Sequence, residues 1–113
     1  MKEKALETRL FREVKKMKGI ALKLASSYHD GQTDRLLIMP GGITWFVELK
    51  TTGKKLKPLQ EVFRDELLKR GQRYAFVDSE KSLNSLIAAI ESARMFSELS
   101  KQLLSGSKVG LGK

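Results

Sequence analysis

The sequence predicts a mixed α/β domain, element order α-β-β-β-α-β-α, with helices flanking a single sheet. Three observations carry this. Apolar residues recur every three or four positions in three segments, as helices with one buried stripe require. Short apolar runs flank the turn Pro40-Gly41-Gly42, as in a hairpin. The glycines and prolines of the first 80 residues fall at segment boundaries.

Residues 2–18 form the first helix, with Leu6, Leu10, Val14 and Met17 on one face and Gly19 as the stop. The short run "IALKLA", residues 20–25, is a strand. "SSYHDGQT", residues 26–33, is a loop by composition. "DRLLIM" and "ITWFVELK" are the two hairpin strands, and "TTGKKLK" is a second polar loop. Pro58 opens a helix, where its missing N–H costs nothing. Leu59, Val62, Phe63 and Leu67 give that helix an apolar face, and Gly71 ends it. "RYAFVD", residues 73–78, is the last strand. A final helix starts near Ser82, with Leu83, Leu86, Ile87 and Ile90 inward, and extends through Phe96, Leu99 and Leu103. One domain is expected over residues 1–104, with a disordered tail over 105–113. The hairpin should pair antiparallel, with a helical crossover into the last strand.

The bulk composition excludes several classes. No apolar run approaches the roughly 18 residues of a membrane span, and the charged N-terminus is no secretory signal. With no cysteine there is no disulfide framework, thiolate zinc site or cysteine nucleophile. A cytoplasmic protein is the simplest reading. Lys and Arg total 22 against 13 acids, a formal +9. That surplus favours a polyanionic partner, with nucleic acid first, since each neutralised phosphate releases counterions. The competing explanation is solubility alone.

Charged residues interrupt the apolar hairpin at Asp34, Glu48 and Lys50. Strand side chains alternate faces, so Glu48 and Lys50 point the same way. A turn centred on Gly41 sets Asp34 opposite Glu48, with β-carbons about 5 Å apart. A slip of one residue would undo the pairing. Facing carboxylates repel, and burying them uncompensated is costly. A divalent cation offsets the repulsion, and hard oxygen ligands suit Mg²⁺ or Mn²⁺ rather than zinc. Lys50 beside them could hold an attacking water, and such a metal stabilises charge on a phosphate. The alternative is an ion pair of Lys50 with Asp34 or Glu48 on a solvated face. A second Glu-x-Lys, Glu13-Val14-Lys15, lies on the first helix, where positions two apart diverge by about 200°. Only the strand copy converges.

Asp34 followed by Glu48-Leu49-Lys50 on the next strand resembles the PD-(D/E)XK nuclease core. More narrowly, "GQTDRLLIMPGGITWFVELKTTGKKLKPLQ" followed by "GQRYAFVDS" resembles the small VRR-Nuc domains of phages and prophages, over roughly residues 3–90. Two departures stand out: Thr33 replaces the usual proline, and the Arg-Arg pair behind the family's name is absent after "RYAFVD". The resemblance implies a restriction-endonuclease-like core, a phage or prophage origin and Mg²⁺ or Mn²⁺ dependence. It also implies roles: Asp34 and Glu48 as metal ligands, and Lys50 as the residue orienting the water. Glu7 would complete or order the metal shell, in preference to Glu3 one turn earlier, and Gln60 would lie near the active site. Read from the residues alone, Glu7 could be a solvent-facing helix acid. Gln60 could simply satisfy N–H groups in the first turn of its helix.

Lys54, Lys55 and Lys57 follow the acids directly, and Lys23 and Arg35 flank them. Together they could hold backbone phosphates, with Ser27 as a further contact. Phosphate contacts position a duplex without reading bases, which fits selection for structure rather than sequence. The lone histidine, His29, reads as a solvated loop residue, and Trp45, opposite in face to Glu48, as core or interface. The resemblance implies a structure-specific endonuclease acting on branched DNA, four-way (Holliday) junctions foremost. A flap or nicking nuclease is the second reading and a non-catalytic basic DNA-binding subunit the third. Symmetric cutting of two strands calls for a homodimer, for which Phe96, Leu99 and Leu103 offer an interface.

Overall fold

In the computed structural model, residues 1–25 and 33–106 are described. The order is α1 (Glu3–Lys16), β1 (Ile20–Ala25), β2 (Thr33–Met39), β3 (Ile43–Leu49), α2 (Pro58–Lys69), β4 (Arg73–Val77) and α3 (Glu80–Gly106). This is the α/β order that the spacing predicts. The four strands lie side by side in chain order, with β1–β2 and β2–β3 antiparallel and β3–β4 parallel. Because α2 intervenes, β4 returns alongside β3 in the same direction, the usual outcome of a helical crossover.

Alternation assigns each strand residue to a face. On one, Leu37, Met39, Ile43, Val47, Leu49 and Val77 meet Leu6, Leu10 and Val14 of α1 and Leu83, Leu86 and Ile90 of α3. This is the core, and Trp45 packs at its margin. The other face carries Asp34, Phe46 and Glu48. Part of it is covered by α2, where the Phe46 and Phe63 rings meet edge to face at 6.1 Å. Further out, Ile20, Leu22 and Ile38 are exposed.

Two helix ends differ in detail from the sequence expectation. α1 stops at Lys16, and the left-handed residue after it is Lys18 (φ 66°), not Gly19. Gly19 instead answers to crowding, because a β-carbon there would strike Met39 and Val14. α3 begins at Glu80, ahead of Ser82, because the Ser79 hydroxyl accepts the Ser82 N–H at 3.1 Å and caps the helix earlier. Gly41 (φ 87°) supplies the left-handed backbone of the hairpin turn and also lies against Ser97 of α3. α3 continues through Leu103 to Gly106, so the expected boundary at 104 falls inside it; residues 107–113 lie outside the described residues.

Candidate active site

The hairpin register decides the site. Arg35 faces Val47 and Met39 faces Ile43, so the same register carried one residue further sets Asp34 against Glu48. The two carboxyl groups are close enough for each to influence the other's protonation. Asp34 is fully buried, Glu48 and Lys50 nearly so, and the Lys50 Nζ lies 3.7 Å from Glu48 Oε2. A solvated sheet face with a surface ion pair is therefore not what forms: these are interior charges.

Burial first, then the charge of Glu48, pushes the Asp34 carboxyl up to about 8. Burial also raises Glu48, with Lys50 opposing. Without a cation the pair is thus best accommodated by a proton shared between the two carboxyls. A divalent cation would take over that neutralising role. The donors fit a hard cation: two carboxylates are what the chain contributes, and Mg²⁺ typically binds one or two carboxylates, waters and substrate phosphate. Among the described residues no group of three or more His, Cys, Asp or Glu donors gathers.

Glu7, expected to complete or order the metal shell, is held by cations on the α1 side of the sheet. It sits beneath the core face, where Arg35 Nε donates to its Oε2 at 2.6 Å, with Lys23 and Lys4 each at 3.6 Å. Burial raises the Glu7 carboxyl, but the Arg35 hydrogen bond and these three cations hold it below the ordinary carboxylate range. Arg35, expected at a phosphate, is buried, with its guanidinium on Glu7 and, at 3.2 Å, on Glu3. Its charge still reaches Asp34 and Glu48 from below and favours their ionised forms. The helix acid whose charge reaches Glu48 is Glu3. It is held there because the α1 N-terminus is tied to the loop after β3: Glu3 N–H donates to Thr51 Oγ1 at 3.3 Å, and the Met1 amino group to Thr52 Oγ1 at 2.8 Å.

That loop forms the mouth of the site. Lys50, Lys54, Lys55 and Lys57 line a cleft of about 300 Å³ with Glu3 and Thr51, so the three loop lysines share one cleft with Lys50. Lys23 is half exposed but paired with Glu7. Gln60 is buried in the first turn of α2, where its Oε1 accepts the Lys57 N–H at 2.8 Å and fixes the end of the lysine loop. Ser27 and His29 lie outside the described residues. Tyr74 carries no sequence signal of its own. It pairs with Phe46 on the acid face, and burial, with the charges of Asp34 and Glu48, pushes its hydroxyl above the usual tyrosine range. Only the β3–β4 register could have revealed it.

No family model matches the chain. It is 36% identical over 90 residues to "Putative nuclease p44" of Acyrthosiphon pisum secondary endosymbiont phage 1, an alignment spanning 80% of this chain and 96% of that protein. Its fold is similar to a solved structure described as a VRR_NUC domain, with a TM-score of 0.66 and 29% identity, covering 76% of this chain and 94% of that one.

Proposed function

Because the chain belongs to the VRR-Nuc family of nucleases, in its small phage-type form, we propose that it is a Mg²⁺- or Mn²⁺-dependent endonuclease that hydrolyses phosphodiester bonds in DNA. One observation carries the proposal: the buried, directly opposed Asp34–Glu48 pair, with the Lys50 ammonium 3.7 Å from Glu48 and Lys50 itself lining the lysine-rich cleft. Two acids and an amine so placed are costly for stability alone.

The chain's own groups divide the work. Asp34 and Glu48 would hold the cation, which, when bound, would polarise the phosphate and offset the charge that builds on it. Lys50 donates to an attacking water and orients it toward phosphorus. Attack forms the new P–O bond and breaks the bond to the 3′ oxygen, leaving a 5′-phosphate and a 3′-hydroxyl. Lys54, Lys55 and Lys57 grip the flanking phosphates without reading bases. Glu7 and Arg35 act from the opposite face as positioning residues, holding β2 so that Asp34 meets Glu48. Glu3 adds negative charge beside Lys50, and Gln60 sets the loop that carries the lysines.

The preferred substrate is branched DNA, with the four-way junction first, cut by a homodimer. The second half of α3 supports the dimer: Met95, Phe96, Leu99, Leu103 and Leu104 are exposed, Phe96 and Leu103 at 73%. An exposed apolar stripe of this kind supports a partner surface.

Cleavage of labelled junction, flap and linear duplex DNA during Mn²⁺ titration tests the proposal on wild type and Asp34→Asn. Metal-dependent cutting by wild type only, fastest on the junction, with DNA affinity kept in the variant, is expected. Faster cutting of flaps would favour the flap nuclease. Cutting in chelator, or none with any metal, would end the metal-nuclease reading and leave a basic DNA-binding subunit. Light scattering that finds a monomer with and without DNA would remove the homodimer.

A further inference from the structure

Behind the lysine loop lies a second cavity, of about 510 Å³, which shares Lys54 and Lys55 with the active-site cleft. Its volume falls in the range of about 300–1,000 Å³ typical of small-molecule sites. The walls differ from those of the cleft. Phe76 and Leu56, both half-buried, give it an aromatic and an aliphatic side. Glu61 and Asp78 add two acids, and Arg64, the remaining cation, donates to Asp65 at 3.0 Å.

This composition separates the candidate occupants. Lys54 and Lys55 at the shared edge can serve a phosphate and Arg64 is engaged with Asp65, whereas Phe76 and Leu56 offer a flat apolar face to a nucleobase and Glu61 and Asp78 acceptors for its amino groups. Position gives the second half of the argument. Phe76 lies in register with Glu48 on the neighbouring strand, and adjacent strands are about 4.8 Å apart. The cavity's aromatic wall is therefore one strand away from the acid pair, with two lysines between the compartments. A base lodged there would belong to a nucleotide close to the phosphate under attack.

We propose that this cavity is a nucleobase pocket, which takes one unpaired base turned out of the DNA stack while Lys54 and Lys55 hold the phosphate joining it to the scissile position. The pocket rests on the nuclease reading and gives it a source of selectivity: an already unpaired base avoids the cost of unstacking and unpairing that a paired one must meet. The branch points of junctions and flaps provide such bases.

The test uses fluorescein-labelled duplexes bound to the Asp34→Asn protein: one with a single unpaired adenosine, one with an abasic residue at that place, and one fully paired. The unpaired adenosine should bind about tenfold tighter than the other two, the order of one base–aromatic stack. Phe76→Leu should remove that preference and leave the paired duplex unchanged. Leu56→Ser, in the loop and outside the hydrophobic core, should weaken the preference in the same selective way, which separates a lost pocket from a lost fold. Equal binding of all three DNAs, or equal losses on all three in both variants, overturns the pocket. Metal-dependent cutting by the wild type, measured alongside, keeps that failure distinct: if cutting persists, only the pocket falls, and if no DNA is cut, the nuclease reading falls with it.

Discussion

Asp34 and Arg35 are neighbours on β2, both buried, and they face opposite ways into opposite circumstances. Arg35 points into the core face and meets Glu7 at 2.6 Å and Glu3 at 3.2 Å, a pair of unlike charges. Asp34 points to the other face and meets Glu48, a pair of like charges, whose repulsion and burial raise it to about 8. The first arrangement is what a fold does with a buried charge it must satisfy. The second is what a fold tolerates when something else is meant to complete it. Functional sites are where local rules are broken, and here the break runs between two adjacent residues.

The largest effect should come from the side where like charges meet. Asp34→Asn keeps the shape of the residue but removes one of the two carboxylates proposed to hold the cation. Cleavage should fall by about a thousandfold or more, over 4 kcal/mol of barrier, as read from single-turnover rates at saturating Mn²⁺. A loss below tenfold would mean that the metal is held elsewhere and that the two sides of β2 differ less than their chemistry implies.

The satisfied side should answer in stability. Arg35→Ala strands Glu7 in the interior with Lys4 and Lys23 as its cations among the described residues, and breaking a buried pair costs about 3–5 kcal/mol. Urea unfolding at neutral pH measures this. Glu7→Gln, which keeps an acceptor for Arg35, should cost less. If Arg35→Ala unfolds at the wild-type midpoint, the Arg35–Glu7 contact contributes nothing and is not what holds β2 in place.

How far this contrast could be read in advance depends on distance along the chain. The Asp34–Glu48 opposition was legible because a hairpin's register is set locally, by Pro40-Gly41-Gly42, and alternation then carries it outward. All seven elements followed from spacing and from glycine and proline positions for the same reason. Which acid of α1 meets the sheet was not legible. Glu3 and Glu7 both lie on the side of α1 that faces the sheet, and the choice depends on how the helix docks on β2, some 28 residues away. One signal was nevertheless present. Alternation puts Arg35 on the same face as Leu37 and Met39, and a guanidinium on a core face demands a buried acid. Tyr74 stayed hidden because its place relative to the acids depends on the parallel β3–β4 register, which the intervening α2 leaves open.

The pH dependence of stability sharpens the contrast further. Asp34 titrates at 3.8 when unfolded and at about 8 when folded without metal, so between these values the folded state binds more protons than the unfolded one. Stability then falls as pH rises through that window and levels off above it. In chelator, Asp34→Asn should flatten this decline and exceed wild type at pH 8 by about 2–3 kcal/mol, less than the full shift because water penetration and relaxation lower the penalty of a buried charge. Adding Mn²⁺ should raise the midpoint of wild type and leave Asp34→Asn nearly unmoved. Glu7, held below the ordinary range by Arg35, works in the opposite sense: its contribution is present above the unfolded value and is lost as pH falls through the folded one. A wild type whose stability climbs steadily from pH 4 to 8 would show that the facing acids are already compensated within the chain, and the contrast across β2 would vanish.

The smallest effects belong to the rim, where charges are solvated and act singly. Lys54, Lys55 and Lys57 are exposed, so alanine at each should cost well under 1 kcal/mol in stability. Their signature lies in salt dependence instead. A lysine that neutralises one phosphate contributes close to one unit to the slope of log affinity against log salt. Each substitution should therefore lower that slope by about one and weaken junction and duplex alike, because a phosphate contact positions DNA without choosing it. Lys23→Ala should lower it less, since Glu7 at 3.6 Å already draws its ammonium inward. A loss confined to the junction at unchanged slope would mean that these lysines read DNA shape. The division of labour between a face of unlike charges and one of like charges would then extend to the rim.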